Sequence, residues 1–164
     1  ELKDFLIVQI VKYKRSSIPN RDLKIDNLNL NDEVLTVHCN SNTRILWNGP
    51  NNWILISTNK EVLKEINEKL KETDFAITNL SHSRTIIQIE GKNTKEILKK
   101  GCPYNFNELK SNNCLNSVYN GMSVTIDMVS DNPDKVRIFT LRSFGESLYH
   151  SISDASLEYG YKSV

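Results

Sequence analysis

The residue types closest to phosphate chemistry lie in Gly91-Lys92-Asn93-Thr94, where a glycine and a lysine follow each other as at the end of a nucleotide-cradling loop. The full loop needs another glycine five residues before the last one, and Ile86 stands there. Asn rather than Ser or Thr follows the lysine. So glycine-poor an approach cannot wrap backbone N–H groups around phosphates, and the segment reads as a strand-end turn. His38-Cys39 is the one His/Cys neighbour pair, and on a strand its two side chains point to opposite faces. His82, His150, Cys102 and Cys114 are scattered, without the spacing of a metal site. No Gly-x-Ser-x-Gly elbow offers a strained serine nucleophile. No Gly-x-Gly-x-x-Gly appears, so no dinucleotide is expected on this chain. Cys102 follows the C-terminus of a short predicted helix, where the dipole disfavours a thiolate. It reads as a small buried hydrophobe. No catalytic, cofactor or metal site is visible.

What remains is surface chemistry. Arg142 sits between an apolar strand and a helix start, where a positive charge is mildly unfavourable. It is either a plain surface arginine or the partner of an acidic group on this chain or another subunit. Trp47 and Trp53 flank a turn and suit either a core or an interface, since Trp anchors both. Trp47, Trp53, Arg142 and Phe144 are therefore the candidate interface residues.

The positioning elements follow from periodicity. Phe5–Val11 is a short apolar run interrupted by Gln9 and lacking a small-residue cleavage site, so it reads as a buried strand rather than a signal peptide. Val34–Val37 is a short strand. Arg44–Trp47 and Trp53–Ser57 face each other across Asn48-Gly49-Pro50. Lys60–Glu72 is a helix with Val62, Leu63, Ile66 and Leu70 on one face. A second strand pair, Ala76–Leu80 and Thr85–Glu90, leads into a helix over 94–100, with Asn93 as its cap and Gly101 in the C′ position. Residues 103–117 read as irregular. Val124–Val129 and Val136–Leu141 form a hairpin around Asp131-Asn132-Pro133-Asp134. Ser143 caps a last helix that turns Phe144, Leu148, Ile152, Ala155 and Tyr159 inward. The expected class is α+β: two small lobes of antiparallel sheet with helices on one side, residues 1–73 and 74–164.

Composition narrows the function further. The 164 residues carry a formal net charge of +1 with both signs mixed throughout, which argues against nucleic acid as a partner. Hydrophobic residues make up 38%, a globular rather than disordered balance. No run approaches the roughly 20 apolar residues that span a bilayer. Three cysteines without regular spacing are expected as reduced thiols in the cytoplasm. The sequence opens at Glu1 rather than Met, which suggests residues ahead of it.

Four segments carry a resemblance. They are Leu80-Ser81 with Arg84 before Ile87-Gln88-Ile89-Glu90-Gly91; Leu98 with Lys100-Gly101-Cys102 and Asn105; Gly49-Pro50-Asn51-Asn52-Trp53-Ile54-Leu55-Ile56; and Leu141-Arg142-Ser143-Phe144 with Leu148, Ala155 and Gly160. In this order and spacing, over about residues 45–160, the chain resembles the gamma subunits of heterotetrameric sarcosine oxidase, within the folate-binding domains typified by the glycine-cleavage T-protein. The resemblance implies a non-catalytic subunit that stabilises an assembly with the alpha (large) and beta (flavin) subunits. Such a complex oxidises sarcosine to glycine, peroxide and 5,10-methylenetetrahydrofolate. FAD, FMN, NAD, zinc and tetrahydrofolate would be held by the other subunits. Asn79 and Asn105 stand where the family usually has Asp. Their missing carboxylates argue against strong folate binding by this chain alone, unless Asp127 or Glu146 supplies the acid. Two alternatives stay open: the matching subunit of N-methylglutamate dehydrogenase, and a stand-alone folate-dependent protein supporting iron–sulfur enzymes and tRNA modification. Pro103-Tyr104-Asn105-Phe106, without the Gly-Gln of that last group, counts against it.

Overall fold

The computed structural model describes residues 1–30 and 32–164. They form two compact units: Lys3–His82, and Ser83–Val164 joined by Glu1–Leu2.

The first unit is built on a five-stranded antiparallel sheet ordered β4-β5-β6-β1-β7. These strands are β1 (Leu6–Lys12), β4 (Val37–Cys39), β5 (Thr43–Gly49), β6 (Asn52–Ser57) and β7 (Phe75–Asn79). A small hairpin, β2 (Lys24–Ile25) and β3 (Leu28–Asn29), turns through Asp26 and Asn27, both at positive φ. Helix α1 (Val62–Lys69) sets Val62 and Ile66 into a core with Val8, Ile10, Leu55, Trp53 and Phe75. Trp53 through Ser57 are all buried, because β6 is central and buried on both faces. The Asp26 carboxylate accepts the Thr43 hydroxyl at 2.5 Å, and Thr43 meets Ser57 Oγ at 2.8 Å. That polar chain ties the small hairpin to the sheet.

The second unit has a four-stranded antiparallel sheet ordered β8-β11-β10-β9. Its elements are β8 (Arg84–Glu90), α2 (Thr94–Lys99), β9 (Cys114–Tyr119), β10 (Met122–Asp131), β11 (Asp134–Leu141) and α3 (Gly145–Ser156). Ile97 and Leu98 of α2 and Leu148 and Ile152 of α3 pack with Ile126, Met128, Val136 and Ile138 of the sheet.

Sequence and structure part at definable places. The strand 75–79 pairs with β1, Ile10 opposite Ile77, and not with 84–90, which pairs with β11. Phe75 belongs to the first core and Ile87 to the second, so the burial of each decides its sheet over their proximity in sequence. The Leu80 N–H to Ile7 carbonyl bond at 2.8 Å extends the β1 pairing, and the first unit thus runs to His82 instead of residue 73. Cys114–Tyr119, whose first four residues fall in the stretch 103–117 expected as irregular, is an edge strand. Its signal was Asn120-Gly121, both at positive φ (46° and 81°) in a two-residue loop between paired Tyr119 and Met122, the residue pair a type I′ hairpin demands. Val34 is exposed and lies outside β4. Ser143 lies in a short 3-10 turn and makes no cap bond, and Phe144 is exposed rather than inward.

Candidate functional site

The Lys100-Gly101-Cys102 triplet lies where α2, α3 and β9 meet. Lys100 Nζ donates to the Ala155 carbonyl at 2.7 Å and to Glu158 Oε2 at 2.6 Å, and stands 4.8 Å over the Tyr159 ring. The hydrogen bond to Glu158 holds its pKa above the ordinary lysine value. It thereby supplies the cation that favours a helix C-terminus. Gly101 is not left-handed, so its role is not that of a C′ glycine. A Cβ added there would lie 2.7 and 2.8 Å from carbons of the Tyr119 ring and 2.9 Å from Asn120 Oδ1. Tyr119 is wholly buried, and its hydroxyl donates to the Ile97 carbonyl at 3.2 Å. Cys102 is 4% exposed, and its thiol donates to Ser117 Oγ at 3.2 Å. Burial pushes that thiol up, against a smaller opposing effect of Ser117. The triplet therefore locks two helices to an edge strand, and its thiol is kept in the unreactive form.

The two asparagines at usual Asp positions serve turns. Asn79 Oδ1 accepts the Ser81 N–H at 3.0 Å, and Ser81 Oγ accepts the Ile7 N–H at 3.0 Å. Asn105 Nδ2 donates to Glu108 Oε1 at 2.6 Å, while its Oδ1 accepts the Asn107 N–H at 3.3 Å. A carboxylate would serve at 79, where only an acceptor is used. At 105 it would face Glu108, so the amide there fits its neighbour. Both residues are exposed.

One cleft of about 450 Å3 opens within the second unit, between the end of β8, the turn before α2, and α3 with the segment after it. Its lining includes the buried Ile87 and Ile152 together with Tyr149, Ser153, Tyr161 and Lys92. Two buried polar side chains of its lining are engaged: Ser156 Oγ donates to the Ile152 carbonyl at 2.6 Å, and Thr94 Oγ1 to the Asp134 carbonyl at 3.4 Å. Its charged lining residues are Glu1, Glu90, Lys92 and Lys162, and Glu90 is taken up by Lys135 at 3.0 Å. Asp127 and Glu146 are not among its lining residues. Glu146 is exposed, 3.7 Å from His150 Nε2. Asp127 is fully buried in a polar row that the sequence did not reveal. Gln88, Arg137, Asp127 and Cys114 stand in register across the four strands, with Arg137 Nε donating to Gln88 Oε1 at 3.2 Å. Alternation along each single strand was visible, but the cross-strand register that assembles the row was not.

The candidate interface residues divide. Trp53 is wholly buried in the first core and presents nothing to a partner. Trp47, directly opposite on β5, is half-buried. Arg142 and Phe144 are exposed. Among the described residues no acidic group of the chain pairs with Arg142, whose N–H donates to the Ser83 carbonyl. The described residues hold no cluster of three metal-ligating side chains, and no described helix is long and apolar enough to cross a membrane.

Comparison with known proteins decides the family. The profile of the sarcosine oxidase gamma subunit family matches residues 25–158. The chain belongs to that family. The gamma subunit of sarcosine oxidase from Corynebacterium sp. (strain U-96) is 26% identical over 127 residues, 76% of this chain. The match spans 61% of that relative's own length. The fold is that of a chain in the heterotetrameric sarcosine oxidase of Corynebacterium sp. U-96, solved in complex with pyrrole 2-carboxylate. The TM-score is 0.87 at 22% identity, over 99% of this chain and 85% of that one. For this gamma-family chain the Lys-Gly-Cys triplet and the two asparagines now have structural roles.

Proposed function

We propose that this chain is the non-catalytic gamma subunit of a sarcosine oxidase complex, packing on a large alpha subunit and a flavin-carrying beta subunit. The observation that carries the reading is the gamma-subunit profile over residues 25–158, supported by a fold matched along 99% of the chain. The chemistry of its own residues agrees. Its buried motif thiol, Cys102, is held toward the protonated form by burial. Oxidation of sarcosine to glycine, peroxide and 5,10-methylenetetrahydrofolate would then take place on FAD, FMN, NAD and tetrahydrofolate held by the other subunits. Cys39, Cys102 and Cys114 form no disulfide among the described residues, which suits assembly in the cytoplasm. The test is co-expression with the cognate alpha and beta subunits. The expected result is a co-purifying complex that makes peroxide from sarcosine, and a colourless chain without that activity when expressed alone. A chain that elutes apart under gentle conditions, or that alone carries stoichiometric flavin, would overturn the proposal.

A further inference from the structure

The cleft of the second unit has a lining unlike the rest of the surface. It combines buried aliphatic side chains, Ile87 and Ile152, with two exposed tyrosines, Tyr149 (41% exposed) and Tyr161 (52%). Two lysines, Lys92 and Lys162, and two glutamates, Glu1 and Glu90, line it. The glutamates are engaged elsewhere, Glu90 by Lys135 at 3.0 Å and Glu1 as acceptor of the Thr85 hydroxyl at 2.6 Å, which leaves the two lysines. Both are exposed, and neither has an acidic partner among the described residues. The other lysines near α2 are paired: Lys95 with Asp131 and Asp134, Lys99 with Glu96, and Lys100 with Glu158. Exposed large apolar side chains also gather on this stretch. Leu141, Phe144, Tyr149, Leu157, Tyr161 and Val164 all fall after β11 begins, against three, Val34, Leu35 and Val118, among the described residues before it. Solvent-facing tyrosines beside an aliphatic hollow are the composition of an interface centre rather than of an ordinary surface. Unpaired cations at its border select a negative neighbour.

We propose that this cleft receives a segment of a partner subunit that inserts an aromatic or branched aliphatic side chain between Tyr149 and Ile87 and sets a flanking carboxylate against Lys92 and Lys162. The proposal rests on the subunit reading above. It names the surface that such a partner uses and the chemistry it must carry. The volume, about 450 Å3, admits one large side chain with its flanks, within the usual range of built pockets.

The experiment measures association of the purified full chain with the alpha–beta subcomplex. Ser153→Trp fills the cleft from the half-buried side of α3 and is expected to weaken association at least tenfold. The paired reversal Lys92→Glu/Lys162→Glu, at exposed positions, is expected to weaken it several-fold at low salt and much less at high salt. Val34→Ser, at an exposed apolar position in the other unit, is expected to leave association unchanged. Circular dichroism and a melting curve establish that each variant is folded. Full affinity in both cleft variants overturns the cleft assignment while leaving the subunit reading in place. Failure of the unaltered chain to associate overturns both. Concentration-dependent self-association that Ser153→Trp abolishes would assign the cleft to a second copy of this chain, and so also overturns the proposal.

Discussion

Replacing Gly101 with alanine tests whether the Lys-Gly-Cys triplet is a packing lock. The added Cβ meets two ring carbons of Tyr119 at 2.7 and 2.8 Å and Asn120 Oδ1 at 2.9 Å, all inside the distance that real Cβ contacts keep. The ring cannot swing aside. It is wholly buried, and its hydroxyl is held by the Ile97 carbonyl. Overpacking of this kind costs about 1–3 kcal/mol. Alanine regains about 0.4–1 kcal/mol by restricting the unfolded chain, because Gly101 does not need positive φ. The net loss is on the order of 1–2 kcal/mol. For a unit of this size that lowers the melting midpoint by about 4–16 °C. The decisive assay is a double-mutant cycle in urea with Tyr119→Leu, which removes the ring that clashes. Gly101→Ala should then cost little or nothing, giving a coupling energy of about 1–2 kcal/mol between the two sites. An equal loss in both backgrounds, or no loss in either, would refute the contact as the reason for this glycine.

Burial raises the pKa of the Cys102 thiol and of the Tyr119 phenol above the ordinary values of those groups. Above those values the unfolded chain has released protons that the folded one retains, so each group's contribution falls as pH rises through the unfolded pKa. Stability should decline above about pH 9, and less so in Cys102→Ala, as followed by urea midpoints; a flat profile to pH 10.5 contradicts this. The same burial predicts that Cys102 labels with a thiol reagent only on unfolding, and a native-state titration of the half-exposed Cys39 against it is the direct check. Asn105→Asp places a carboxylate against Glu108 and should destabilise by up to about 1 kcal/mol, whereas Asn79→Asp keeps its acceptor and should be near neutral. Equal effects of the two in thermal melts would sink the turn assignments. Trp53→Ala should remove about 3–5 kcal/mol, seen as loss of the cooperative transition of the first unit.

The gamma-subunit resemblance was legible in the sequence because order and spacing survive without any three-dimensional knowledge. So were most elements. The hairpin around Gly49-Pro50, the α1 stripe and the buried strand expected over 5–11 follow from local pattern alone; the strand appears one residue later, as Leu6–Lys12, and the helix expected over 60–72 is shorter, Val62–Lys69. The absence of nucleotide-loop and serine-elbow motifs was equally a matter of adjacent residues. Partner choice was different. Whether 75–79 pairs with 84–90 or with β1 is settled by which core takes Phe75, and no window around residue 75 contains Ile10 or Trp53. The same holds for Gly101. Its type permits a left-handed cap, a tight turn or a close approach, and only Tyr119, eighteen residues away and brought back by the β9–β10 hairpin, selects the last. Trp47 and Trp53 look alike in sequence, flanking one turn. Position in the sheet separates them, since β6 is covered on both faces and β5 lies one strand nearer the edge. Local chemistry fixes what a segment can form; long-range packing decides which of its faces meets water, and that is where a binding surface is defined.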